Sequence, residues 1–182
     1  MKTQKISDRE FRDLLLKELD GIKDFELLIL KGHILIEYSL NKYINEVNDG
    51  GIDIDGKNFT FHKKITVAEM LGLFKMKGFL RESIIDINRL RNQIAHKLSF
   101  EEKITKGIIK VFVEIDEPES GIEKEKSDFE NFYYIVIAIC GLIIGRKMAM
   151  KKIKKFTTFQ LQAALKKNPE KFQEEFKNFA NK

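Results

Sequence analysis

Apolar residues recur at helical spacing along most of the chain. The longest such segment, residues 23–47, places them mostly at steps of three and four: Phe25, Leu28, Ile29, Leu35, Ile36, Leu40, Tyr43, Ile44 and Val47. It ends at Asn48-Asp-Gly-Gly51, which are residues that terminate helices. A segment of this length must bury a continuous apolar stripe, and a bundle of helices is the usual way to do so.

Further helices are expected on both sides of this segment. Ser7 and Glu10 have the spacing of a capping box. Thr66 could cap a short helix that reaches Met76, and residues 79–98 form another periodic segment. Ser127 or Asp128 would cap a long helix that extends to about residue 150.

Two segments leave the secondary structure open. Residues 52–61 alternate around Asp55-Gly56 and could form a small hairpin. Residues 104–116 are rich in β-branched side chains and fit either a strand or a helix. The expected fold class is therefore all-α, a bundle of about five or six helices with minor β structure as an open point. We expect a helical domain over residues 1–150 and a basic amphipathic tail over residues 151–182.

The positive charge is concentrated near the C-terminus. The chain carries 33 Lys+Arg and 28 Asp+Glu, a net charge of +5. Residues 141–182 hold 11 of the basic and 3 of the acidic residues, so this segment is +8 and residues 1–140 are −3. Lysine strongly outnumbers arginine, so lysine-based charge is weak evidence for nucleic-acid binding. The few arginines are more informative about function.

Other classes of protein are disfavoured by what the sequence lacks. Its one cysteine, Cys140, excludes an internal disulfide and a zinc site of several cysteines, and its apolar neighbours favour a small buried side chain over a nucleophile. The longest apolar run, residues 132–145, is shorter than a membrane span, and the N-terminus lacks the apolar core of a signal peptide. We expect a cytoplasmic protein with no membrane contact, metal or cofactor.

The most informative segment is the helix over residues 79–98. Its apolar residues lie on one arc, and Arg91 falls within that arc, where a guanidinium would need partners or an assembly surface. Asn88, Asn92 and His96 are spaced by four and form a second, polar stripe, in which Asn92 could hydrogen-bond and orient His96.

The segment Arg91-Asn-Gln-Ile-Ala-His96 resembles the R-x4–6-H motif of the HEPN superfamily. Upstream, Gly32-His-Ile-Leu-Ile-Glu37 is similar to the long early helix of many members, and Phe61-His-Lys-Lys-Ile65 with Leu71-Gly-Leu73 to the segment before their motif helix. Phe100 is similar to the residue that follows the motif in the mannitol-repressor-like branch. The similarity covers residues 23–100 well, and residues 101–150 by helical pattern only.

This resemblance implies an all-α homodimer in which two motif helices face each other. Many members are metal-independent endoribonucleases of toxin, antiphage or RNA-processing systems. Others are inactive, and the mannitol-repressor-like branch is associated with transcriptional regulation. The alternative to an enzyme is therefore a non-catalytic regulator or scaffold that binds protein or nucleic acid with the same helix.

The chemistry of the motif suits RNA cleavage by the 2′-hydroxyl. An imidazole such as His96 can donate or accept a proton near neutral pH, and Arg91 offers a planar fork for two phosphate oxygens. Asn92 would orient the histidine or a phosphate oxygen. The expected products are a 2′,3′-cyclic phosphate and a 5′-hydroxyl. Arg91 and His96 lie about 140° apart on an ideal helix, so they converge only if the arginine reaches round or a second copy completes the site.

The remaining histidines have simpler explanations. His33 and Glu37 could lie near the site, but a helix pair with a hydrogen-bonded histidine is the favoured interpretation. His62 is expected at the surface.

The basic segment has three open interpretations. Arg146, Lys147, Lys151 and Lys152 could contact RNA phosphates, together with Lys154 and Lys155. Cations at a helix C-terminus are equally plausible, and a basic amphipathic helix can also lie on a membrane. Phe172, Phe176 and Phe179 would pack on the bundle or on a partner, such as an antitoxin-like protein.

Overall fold

The computed structural model describes residues 6–48, 59–75, 77–97, 99–115 and 121–167, with side chains as far as Phe159. Their regular structure is entirely helical, which confirms the all-α expectation. Six helices occur in this part of the chain: α1 (Asp8–Leu19), α2 (Phe25–Val47), α3 (Phe61–Met70), α4 (Gly78–Lys97), α5 (Glu102–Ile115) and α6 (Asp128–Lys167). The chain divides into two units, Met1–Lys147 and Met148–Lys182, which are described separately below.

Side-chain caps fix where the helices begin. The expected capping box is present at α1, where Ser7 Oγ accepts from the Glu10 amide and the Glu10 carboxylate accepts from the Ser7 amide. Ser127 and Glu130 repeat this arrangement at α6, so Ser127 rather than Asp128 is its cap. Asp24 Oδ1 accepts from the Leu27 amide and starts α2.

The prediction for the third helix was wrong in its bounds. Thr60, not Thr66, is the cap, and α3 ends at Met70 rather than Met76. Thr66 lies inside the helix and donates its hydroxyl to the His62 carbonyl. The chain then turns at Gly72, whose φ of 84° is readily adopted only by glycine. Most of the candidate hairpin over residues 52–61 lies outside the described residues.

Residues 102–115 form a helix, which resolves the ambiguity of this segment. The buried residues of α5 are Thr105, Ile108, Ile109 and Phe112. The last three follow Thr105 by three, four and seven positions, which is helical spacing. This one-sided burial outweighs the strand preference of the β-branched residues, because tertiary packing commonly overrides weak local propensity. The rings of Phe112 and Phe79 of α4 pack in a T-shaped arrangement, with 5.4 Å between centroids.

The core is built around α2, whose buried residues cover about half of its circumference. Phe11 of α1 stacks on Tyr38, and the Tyr43 hydroxyl donates to the Leu71 carbonyl after α3. At Gly32 the neighbouring helix α6 comes very close, since a Cβ built there would lie 2.7 Å from Val136 Cγ2. Burying each large apolar side chain contributes about 1.5–3 kcal/mol, so α2 is the helix that holds the others together.

Candidate active site

The motif helix α4 forms as its apolar pattern predicts. Its buried face consists of Leu80, Ser83, Ile84, Ile87, Leu90 and Ile94. These side chains pack inward, so the residues between them face outward along the last two turns. Those turns carry Arg91, Asn92 and His96, and they stand on a well-packed helix rather than on a loop.

Arg91 is exposed, although helical spacing places it within the apolar arc. Its position is at the edge of the buried face, and a long side chain there can carry its guanidinium out to water. Arg91 Nη1 donates to Asn92 Oδ1 at 3.1 Å. The guanidinium is therefore held by a neutral amide and by no carboxylate among the described residues, which leaves its charge available to an anion.

Asn92 orients the arginine rather than the histidine. The hydrogen bond expected between Asn92 and His96 does not occur, and Asn92 Oδ1 accepts from Arg91 instead. His96 lies in the last turn of α4 with its side chain exposed. No hydrogen bond or ion pair joins its imidazole to the described residues, so both ring nitrogens are open to a ligand.

Asn88, at the other end of the polar stripe, contacts a buried histidine of the core. His33 of α2 is buried, with Nε2 3.1 Å from Asn88 Oδ1, and a ring nitrogen facing an amide oxygen donates its proton. The His33 ring also lies against Phe61, with 4.3 Å between centroids. Burial lowers the pKa of His33, and this effect outweighs the attraction of Glu37 and the hydrogen bond to Asn88.

Two cations also disfavour a charged His33. Arg91 is close enough to lower the pKa of this histidine, and so is Lys64 of α3. Lys64 is itself buried, and its Nζ lies 2.6 Å from Glu37 Oε1. The expectation of a hydrogen-bonded histidine is confirmed, although Glu37 pairs with Lys64 and not with His33. The spacing of Lys64 from Phe61 and Ala68, at three and four residues, was the signal that this lysine lies on the inner side of α3.

Two of the four predicted RNA-contacting cations have structural partners. Arg146 is half-buried, and its Nε donates to the Gly72 carbonyl at 3.2 Å. This hydrogen bond satisfies a backbone acceptor in the turn after α3. Lys147 is only 1% exposed. Its Nζ pairs with Asp8, and with Glu46 at 3.1 Å. The prediction that Lys147 lies on an RNA-binding surface was wrong, since its side chain is buried and its charge is neutralised by carboxylates inside the bundle.

The second pair of cations is exposed. Lys151 and Lys152 belong to the second unit, and every side chain from residue 151 to residue 159 is exposed. The phenylalanines at 172, 176 and 179 lie outside the described residues.

Other candidate chemistries can be placed as well. Cys140 is buried, as expected, and burial raises the pKa of its thiol to about 12 although a hydrogen bond with Ser39 opposes this. Such a thiol is a packing group and not a nucleophile. Within the part of the chain that the structure describes, no group of three or more His, Cys, Asp or Glu is placed to hold a metal ion. His62 is exposed on α3, as predicted.

One helix of the described residues is long and apolar enough to cross a membrane by length and composition alone, the stretch Asp128–Phe159 of α6. In its most apolar window 39% of the residues are buried inside the protein. The core helix of a soluble protein meets the same criterion, so this feature is weak evidence for a span.

Comparison with known proteins returned no matching family model, no matching curated sequence and no matching solved structure.

Proposed function

We propose that this protein is a metal-independent endoribonuclease of HEPN type that acts as a homodimer in the cytoplasm, as a toxin or antiphage effector. The observation that carries the proposal is the exposure of Arg91 and His96 together on the last two turns of α4. An arginine and a histidine that served only to lock helices would be expected in contact with neighbouring elements. Here both functional groups face solvent.

The proposed reaction uses these groups on a single phosphodiester. The 2′-oxygen attacks phosphorus as the bond from phosphorus to the 5′-oxygen breaks, and the proton of the 2′-hydroxyl ends on that 5′-oxygen. His96 would move this proton as acid or base, while Arg91 would stabilise the negative charge that grows on the phosphate oxygens. Asn92 holds the guanidinium through the 3.1 Å hydrogen bond. The products are a 2′,3′-cyclic phosphate and a 5′-hydroxyl.

Geometry within one chain favours a site shared between two copies. Arg91 and His96 are five residues apart, which corresponds to about 140° around α4 and about 7.5 Å along it. A two-fold arrangement of two α4 helices would bring the arginine of one chain beside the histidine of the other and line one groove with both pairs.

The decisive measurement is cleavage of labelled single-stranded RNA in EDTA. We expect His96→Ala to lower the rate by about 10²–10⁴-fold and Arg91→Ala by about 10²–10³-fold. His62→Ala is the matched control for an exposed histidine, and Arg89→Ala is the control for an exposed arginine on the same helix. Both controls should cleave at the wild-type rate and give the same cyclic phosphate ends.

Absence of cleavage in EDTA, or equal cleavage by wild type and His96→Ala, would overturn the proposal. The chain would then be better described as a non-catalytic regulator or scaffold that uses α4 as a contact surface. Growth of a host expressing the protein gives a second test, because a toxic ribonuclease should be relieved by Arg91→Ala and not by Arg89→Ala.

A further inference from the structure

The described part of the second unit exposes apolar side chains among lysines. Residues 151–159 contain Lys151, Lys152, Lys154 and Lys155, and the whole stretch is exposed. Phe156 and Phe159 are 60% and 68% exposed, and Met148 and Ile153 are about half exposed. Isolated apolar residues at a surface are ordinary, but four large ones within twelve residues form a patch that calls for a partner.

Helical geometry sorts these side chains into faces. At 100° per residue, Met148, Phe159, Phe156 and Ile153 fall within an arc of about 140°. Lys151 and Lys154 lie on the opposite side with Thr158, and Lys155 lies at the margin. Lys152 falls inside the apolar arc, where its long aliphatic stem can lie along the apolar surface while the ammonium group reaches water.

The charge of this segment selects an anionic partner. Residues 131–169 contain no Asp or Glu, so every charged residue on this stretch of sequence is basic. A second copy of the same helix would bring like charges together, which opposes self-association through this face.

From the combination of these features we propose that residues 148–159 of α6 lie along the interface of an anionic lipid bilayer. A headgroup layer supplies negative charge for the lysines, and the acyl boundary beneath it receives the apolar face. RNA would satisfy the lysines and could stack on the phenyl rings, but it offers no burial to the aliphatic Met148 and Ile153, which share that face. This inference is independent of the proposed ribonuclease activity.

The first test is partition of the full chain into phospholipid vesicles. We expect binding to vesicles with about 30 mol% phosphatidylserine in phosphatidylcholine to exceed binding to pure phosphatidylcholine by about tenfold and to weaken as salt is raised. The double variant Phe156→Ser/Phe159→Ser should lose about tenfold in binding. Met70→Ser, which changes an exposed methionine on α3, should bind as wild type does, and so should His96→Ala.

A second readout uses the absence of tryptophan from this chain. Phe159→Trp places a single indole on the apolar face, and Thr158→Trp places one on the opposite side. With anionic vesicles we expect the emission of Phe159→Trp to shift to the blue and to be quenched by brominated acyl chains, and that of Thr158→Trp to change much less.

Three outcomes would overturn the proposal. The first is failure of the wild type to partition into anionic vesicles, and the second is equal partition of the Phe156→Ser/Phe159→Ser variant. The third is binding of single-stranded RNA that requires Phe156 and Phe159 while vesicles are not bound, which would assign the surface to nucleic acid.

Discussion

At the residue scale, the buried ammonium group of Lys147 depends on the carboxylates around it. Asp8 and Glu46 pair with Lys147 and also with Lys42, whose Nζ lies 3.3 and 3.0 Å from them. Desolvation opposes the charge of Lys42, but hydrogen bonds and attraction from these carboxylates outweigh it and raise its pKa. The four groups form one cluster that joins α1, α2 and α6.

Removal of Lys147 should therefore destabilise the fold. We expect Lys147→Ala to lower the free energy of unfolding by about 2–4 kcal/mol, because it leaves a cavity and removes one of the two cations that face Asp8 and Glu46. Lys147→Met fills the cavity and should cost less. Lys152→Ala, at an exposed position, should change the stability by less than about 0.5 kcal/mol, and denaturant unfolding measures all three. Similar stabilities for Lys147→Ala and Lys152→Ala would contradict this account of the cluster.

His33 should make stability depend on pH. Its pKa is lowered in the folded protein from 6.5, so the unfolded chain binds more protons than the folded one just below that pH. The stability that comes from keeping His33 neutral is therefore fully present above pH 6.5. It is lost as the pH falls toward the lowered pKa of His33 in the folded protein. His33→Gln keeps a donor for Asn88 and cannot titrate, so its unfolding free energy should fall less between pH 7 and about 5 than that of wild type. His62→Gln is the exposed control, and parallel curves for wild type and His33→Gln would refute the role of His33.

At the element scale, the close contact between α2 and α6 depends on Gly32, which has no side chain. Gly32→Ala would place a methyl group 2.7 Å from Val136 Cγ2, which is too close unless the valine or the helices shift. Alanine favours a helix over glycine by about 1 kcal/mol, but overpacking costs about 1–3 kcal/mol. We expect Gly32→Ala to lower the midpoint of thermal unfolding, whereas Gly141→Ala in α6, with open space at its Cβ, should raise it. A stabilised Gly32→Ala would show that the helices do not approach this closely.

Elements whose signals are local were the ones that the sequence could predict. The Ser7 capping box and the periodic α2 depend on neighbours in the chain, and both are found as expected. The bounds of α3 were missed because Thr60 and Thr66 are equally good caps in isolation, and the choice between them depends on burial of Lys64 and Ile65 against α2. In the candidate site, exposure of Arg91 depended on rotamer choice at the edge of a face, which spacing alone does not specify. Lys147 pairs with Asp8 and Glu46, which lie 139 and 101 positions earlier in the sequence. No local pattern could predict these contacts.

At the scale of the whole molecule, the proposed ribonuclease predicts that activity belongs to an assembly of two chains. If each site takes its arginine from one copy and its histidine from the other, Arg91→Ala and His96→Ala should each be inactive alone. A mixed dimer of the two variants would contain one intact site and one site that lacks both groups. After refolding or co-expression of equal amounts, half of the dimers are mixed and each has one of two sites, so about a quarter of the wild-type rate should return.

The same mixture separates the two possible geometries. If arginine and histidine act from the same chain, neither variant chain carries a complete pair, and mixing restores nothing. Two controls complete the design: each variant refolded with itself should stay inactive, and Arg89→Ala mixed with His62→Ala should be fully active, since neither residue belongs to the site. Recovery near a quarter would place the reaction across the dimer groove. No recovery, with mixed dimers demonstrated by differently tagged chains, would confine it to a single copy of α4.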